Sequence, residues 1–220
     1  MMEDSTTSKE KILKKVRAAL IHKSRVETSD ADFDSNIYDT NDDPLELVFA
    51  QAFTDAGGQF VFCENETDFV DNFEALTMDG SFGKIWCGEK EIAELVKKTG
   101  VEFTSDEKQL QHVQTSVTGC ELLVARTGSI AVSSRMNAGR KSGVFIDYHV
   151  VVARTSQLTL QLRDALKELK TKYPEGIPSH ITFITGPSRS ADIEKTLVQG
   201  AHGAKEIYLF LIDDTIGLNA

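Results

Sequence analysis

Two rhythms of apolar residues alternate along the chain from position 45 onward. Segments with apolar positions three and four apart are followed by short apolar or β-branched runs, with glycines at many of the boundaries. LELVFAQAFTDAGG predicts a helix closed by Gly57 or Gly58, QFVFC a strand, and ETDFVDNFEALTMDG a helix ending at Gly80. GKIWCG, EKEIAELVKKTG and VEFT continue as strand, helix and strand. GCELLVARTGSIAVSS holds two apolar runs around Thr127 and Gly128, the mark of a hairpin. DYHVVVAR then reads as a strand, QLTLQLRDALKELKTKY as a helix of four to five turns, HITFITG as a strand, GPSRSADIEKTLVQGAHG as a turn and helix, and EIYLFLID as the last strand. Runs such as VVV and YLFLI, apolar without alternation, require cover on both faces. The pattern predicts an α/β fold: a mostly parallel layered sheet with helices on both faces.

The first 45 residues differ. SKEKILKKVRAALIHK sets Ile12, Leu13, Val16, Ala19 and Leu20 on one helical face and lysines on the other, behind Ser8 as a cap. Residues 26–46 carry eight acidic residues and no basic one, the composition of a linker. The expected division is residues 1–45 as amphipathic helix and acidic linker, and 46–220 as the folded domain. Charge follows the same division. The chain of 220 residues has a net charge of -10, of which the linker supplies -8, leaving -2 elsewhere. An acidic chain argues against nucleic acid as partner. No apolar run approaches the ~20 residues that cross a bilayer, and MMEDSTTSKEKILKK lacks a secretory pattern, so a cytoplasmic, non-membrane protein is expected. Cys63, Cys87 and Cys120 form no CxxC pair and read as buried small hydrophobes, with neither a disulfide framework nor a metal nest.

Candidate chemistry gathers in the second half. If GPSRSADIE opens a helix, its free N–H groups offer a seat for a phosphate or carboxylate, with Gly186 making the turn, Ser188 and Ser190 donating, and Arg189 gripping the anion. The competing reading has Ser190 as a simple cap, with Asp192 and Glu194 satisfying the helix dipole. Six of the eight arginines (Arg126, Arg135, Arg140, Arg154, Arg163 and Arg189) fall between 126 and 189, a concentration suited to planar anions or to local carboxylates. The small, basic loop SSRMNAGRKSG reads as a flap over a ligand or as a plain solvated loop. His149 and His202 are the candidate proton carriers, and Asp147 stands where it could orient His149, although a lone histidine more often serves a structural hydrogen bond. Metal-type histidine spacing, a Walker loop, GxGxxG and GxSxG are all missing, and no cofactor is expected.

ARTGSIAVSS, DYHVVVA and ITGPSRSADIEKTLVQGAHG together resemble the LUD-domain proteins, specifically the lactate-utilisation protein C family, over about residues 45–213. The resemblance implies a fold related to the NagB/RpiA/CoA-transferase group and a role beside two iron-sulfur partner proteins that oxidise L-lactate to pyruvate. It also implies that this chain carries no redox cluster. The family pattern continues HG with proline, where this chain has Ala204. Motif positions Thr127, Gly128, Gly186, Ser188, Arg189, Ser190, Asp192 and Gly203 are the candidate ligand-binding residues. The alternative expectation is a free-standing enzyme of that fold group, acting on a small phosphorylated, folate-like or acyl-CoA substrate.

Overall fold

The structure is a computed structural model that describes residues 7–21, 43–78, 80–136, 146–193, 196–199 and 203–215. It divides into two units, residues 1–41 and 42–220. In the first, helix α1 (Ser8–Ile21) leaves Ile12, Leu13 and Val16 exposed.

The second unit is built on a six-stranded sheet in which every pairing is parallel. Its strands are β1 (Gln59–Cys63), β2 (Ile85–Trp86), β3 (Phe103–Thr104), β4 (Thr115–Thr118), β7 (Tyr148–Arg154) and β12 (Glu206–Ile212), in the order β1-β12-β7-β4-β2-β3. The non-alternating runs lie at its centre, as their composition requires. Val151, Ala153, Ile207, Leu209 and Leu211 enter one core, and Val150, Val152, Phe210 and Ile212 enter the other. Helices α3 (Glu66–Thr77) and α4 (Lys90–Lys97) cover the second face, with Phe69 and Phe73 packed against Phe210. Asn65 caps α3, accepting from the Thr67 and Asp68 amides. The first face is covered by helix α2 (Leu45–Asp55), which contributes Phe49 and Phe53, and by a second sheet.

That second sheet has the order β8-β5-β6-β9 and contains β5 (Leu122–Val124), β6 (Ser129–Ser133), β8 (Leu158–Thr159) and β9 (Ile181–Ile184). The hairpin expected around Thr127 and Gly128 is β5 and β6, joined by a 3-10 turn that ends on left-handed Gly128. Helix α5 (Leu162–Lys172) packs on this sheet through Ala165 and Leu169. It is shorter than the expected four to five turns, because Leu158 and Thr159 extend to pair with Leu123 and Val124 instead of beginning it.

The larger departure follows β9. Residues expected to form a helix are strands β10 (Arg189–Ile193) and β11 (Thr196–Gln199), paired antiparallel. Ile193, Thr196 and Val198 are β-branched and favour this extended backbone over the helix that their spacing also allowed. The chain thus leaves the parallel sheet after β4 and again after β7, each time adding strands to the second sheet before returning.

Candidate functional site at the carboxyl edge of the parallel sheet

From β2 the chain turns outward through α4 to the edge strand β3, whereas from the adjacent β4 it turns the other way, toward the second sheet and β7. Loops that diverge from neighbouring parallel strands open a crevice at the carboxyl ends, where ligands of α/β proteins collect. A cleft of about 860 Å³ lies here, and its wall includes Glu66, Glu89, Gly119, Arg135, Arg154 and Gln157.

Glu89 follows β2 and immediately precedes α4. It is half-buried, and Oε1 accepts the Gly119 amide N–H at 3.0 Å. Burial pushes its carboxyl above the usual range; the Gly119 amide opposes the rise, and the nearby Glu121 and Glu91 carboxylates add to it. Glu66 behaves oppositely. Hydrogen bonds from Lys98 (2.7 Å) and Arg154 (3.1 Å) hold it below the usual range.

Arg135 makes no ion pair among the described residues, and its guanidinium lies 5.5 Å from the centre of the Tyr173 ring. The Tyr173 ring is held in turn by Glu121, which is 3% exposed and accepts from Tyr173 Oη (2.7 Å), Ser133 Oγ (2.5 Å) and Lys172 Nζ (2.6 Å). Burial pushes Glu121 up, but those three hydrogen bonds outweigh it and hold the carboxyl below its ordinary value. Gln157 braces the opposite loop, donating to the Cys120 carbonyl (2.7 Å) and accepting the Arg154 amide (2.8 Å). The wall therefore offers a cation with no ion pair among the described residues and a carboxyl whose neutral form burial favours.

The three cysteines are buried and free. Burial raises the Cys63 thiol to about 11 and that of Cys87 to about 12, and it raises Cys120 as well, so all three are poor nucleophiles. Among the described residues no group of three or more His, Cys, Asp or Glu side chains could hold a metal. No helix among them is long and apolar enough to cross a membrane.

Most of the sequence-predicted ligand residues that the structure describes gather elsewhere, around the end of α2, and none lines the cleft. Arg189 Nη2 donates to the Ala56 carbonyl at 3.2 Å, setting a cation against the negative end of a helix dipole. Gly186, with φ 75°, passes so close to that carbonyl that a Cβ would lie 2.2 Å from the oxygen. Gly128, with φ 57°, passes as close to α2, and a Cβ there would lie 2.3 Å from Phe53 N. Thr127 Oγ1, Ser129 Oγ and Thr185 Oγ1 form a chain of 2.7 Å contacts, and the Ser188 amide donates to the Ala204 carbonyl at 2.9 Å. Ser190 and Asp192 lie on β10, and Gly203 precedes β12. With β10 in place of a helix, the dipole argument for an anion seat at 186–190 has no helix to rest on.

His149 is 2% exposed on β7, with Nε2 2.8 Å from Thr118 Oγ1, and burial lowers it to about 4. Asp147 does not orient it and instead pairs with Lys205 at 2.7 Å. His202, Arg140 and most of the basic loop lie outside the described residues. Arg163 lies exposed on α5. Glu89 escaped the sequence reading. Its signal was a glutamate just after a strand, in CGEKEI, where a divergence of neighbouring loops can be recognised only once the strand order is known.

The LUD domain family matches residues 47–212. Lactate utilization protein C of Deinococcus radiodurans is 29% identical over 119 residues, 51% of this chain and 55% of that protein. The protein of the same name from Shouchella clausii is 31% identical over 108 residues, 49% of this chain and 47% of its own length. The chain thus spans about half the length of these curated relatives. A crystal structure of a DUF162 family protein from Deinococcus radiodurans superposes with a TM-score of 0.58 at 18% identity, covering 76% of this chain and 96% of that one. The family match takes in every residue of the cleft wall together with both sheets and the turn beneath α2, and the chain belongs to the LUD-domain family.

Proposed function

We propose that the chain serves L-lactate utilisation in the cytoplasm, as a component without a redox cluster that works with iron-sulfur partner proteins and holds a small organic anion for them. The observation that carries this reading is the likeness to proteins named lactate utilization protein C, within a family match that contains the whole cleft. The cleft is the anion site in this reading, with Arg135 as its cation. Thr127, Gly128, Gly186, Ser188, Arg189, Ser190, Asp192 and Gly203 form the frame beside α2 and β12. A deletion strain grown on L-lactate as sole carbon source tests the function. Growth is expected to fail and to return with the intact gene, and co-purification at native expression is expected to bring down the iron-sulfur proteins. Undiminished growth of the deletion strain overturns the reading.

One observation favours a second reading. A cleft of about 860 Å³ is roomy for a three-carbon acid and suits a larger phosphorylated, folate-like or acyl-CoA anion, as a free-standing enzyme would take. A ligand at 100 times its dissociation constant adds about 2.7 kcal/mol to stability, so a thermal-shift panel of such anions separates the two readings.

A further inference from the structure

Two groups on the cleft wall, Glu89 and Arg135, keep unused capacity among the described residues. Glu89 uses Oε1 to accept the Gly119 amide, while Oε2 takes no hydrogen bond among the described residues. Arg135, rooted just beyond β6, stacks near Tyr173 and makes no ion pair among them. The charged and titratable groups around Glu89 come from several elements. Lys90, Glu91 and Glu94 belong to α4, Cys87 follows β2, Cys120 and Glu121 follow β4, and Glu66, Lys98, Arg135 and Arg154 complete the charged wall. Of these, Glu66 pairs with both Lys98 and Arg154, which leaves one positive charge over, Glu94 pairs with Lys97, and Lys172 neutralises Glu121. A ligand carboxylate that approaches the half-buried Glu89 closely is repelled while both are charged.

We propose that the cleft binds the carboxylate of a small organic acid together with one proton, which rests on Glu89 Oε2 and is donated as a hydrogen bond to the ligand while Arg135 supplies the opposing charge. The inference rests on the reading of the cleft as an anion site. A charge-assisted O–H···O⁻ bond replaces a repulsion between two carboxylates, so the neutral form of Glu89 is the one the ligand selects. Burial already favours that form before ligand arrives. The sign follows directly. Binding is tightest below the pKa of Glu89 in the free protein and weakens about tenfold per pH unit above it, because each ligand must then bring a proton with it.

Isothermal titration of the full chain with L-lactate and with pyruvate, between about pH 5 and 8 in buffers of different ionisation enthalpy, tests this. The expected result is an uptake that rises toward one proton per ligand as pH increases, with the dissociation constant growing about tenfold per unit. Glu89→Gln keeps an acceptor for the Gly119 amide and should abolish both the uptake and the pH dependence. Arg135→Gln should weaken binding about tenfold or more at every pH. Binding of the wild-type chain without proton uptake, or uptake that persists in Glu89→Gln, overturns the proposal and leaves the anion site standing. Failure of either probe to bind at any pH overturns both. The wild-type titration decides without any variant.

Discussion

The turn at 186–189 and the cleft at the sheet edge are built from like materials and differ in how those materials are engaged. Each has a glycine, an arginine and a nearby strand end. At the turn, Arg189 reaches a helix carbonyl, and Gly186 and Gly128 lie against α2 backbone closely enough that no side chain fits. At the cleft, among the described residues, Arg135 has no carboxylate partner and Glu89 Oε2 accepts no hydrogen bond. The segment with the most recognisable sequence therefore secures a helix to a sheet, while Arg135 and Glu89 sit where two loops diverge.

Substitutions can break this comparison, and the largest effect belongs to the frame. Gly128→Ala would place a left-handed backbone and a methyl group against α2 and is expected to cost roughly 2–5 kcal/mol by urea unfolding. A loss within error would mean that the close approach is not rigid. His149 is next. Because burial depresses its folded pKa to about 4 against an ordinary 6.5, the stability it contributes is present above pH 6.5 and is lost as pH falls toward 4. The loss is on the order of 3 kcal/mol, measured as acid-dependent unfolding, and His149→Gln should flatten that part of the profile. A third effect, about 1 kcal/mol, is expected for Arg189→Gln, with ligand binding unchanged. Arg135→Gln should move stability by under about 0.5 kcal/mol yet cost the anion affinity. If Arg189→Gln impaired binding and Arg135→Gln did not, the roles of the two regions would be exchanged.

Much of the fold was legible in the order of apolar runs, because a strand buried on both faces must read like VVV or YLFLI and an amphipathic helix must not. The residues 189–199 were not legible. Their apolar positions satisfy a helix as well as a strand, and pairing between β10 and β11 decided between them. The helix-dipole argument for an anion seat at 186–190 fell with that helix, since it rested on it. His149 shows a different limit. A histidine beside a valine run reads as a proton carrier or, more often, as a structural hydrogen-bonding residue, and the Thr118 hydroxyl 2.8 Å from the buried ring is visible only in the fold. Glu89 acquires meaning from strand order, which no window of sequence contains.

The buried cysteines give the molecule an internal record of its own opening. Cys63 closes β1, Cys87 follows β2 and Cys120 lies just past β4, so each guards the carboxyl end of a different strand of one sheet. Cys63 and Cys87 belong to the core beneath α3 and α4, and Cys120 belongs to the core beneath α2. With their thiols protonated and fully covered, Cys63 and Cys87 must wait for local unfolding before alkylation, while Cys120, 7% exposed on the cleft wall, needs less opening, so the order of modification reports which part of the sheet gives way first.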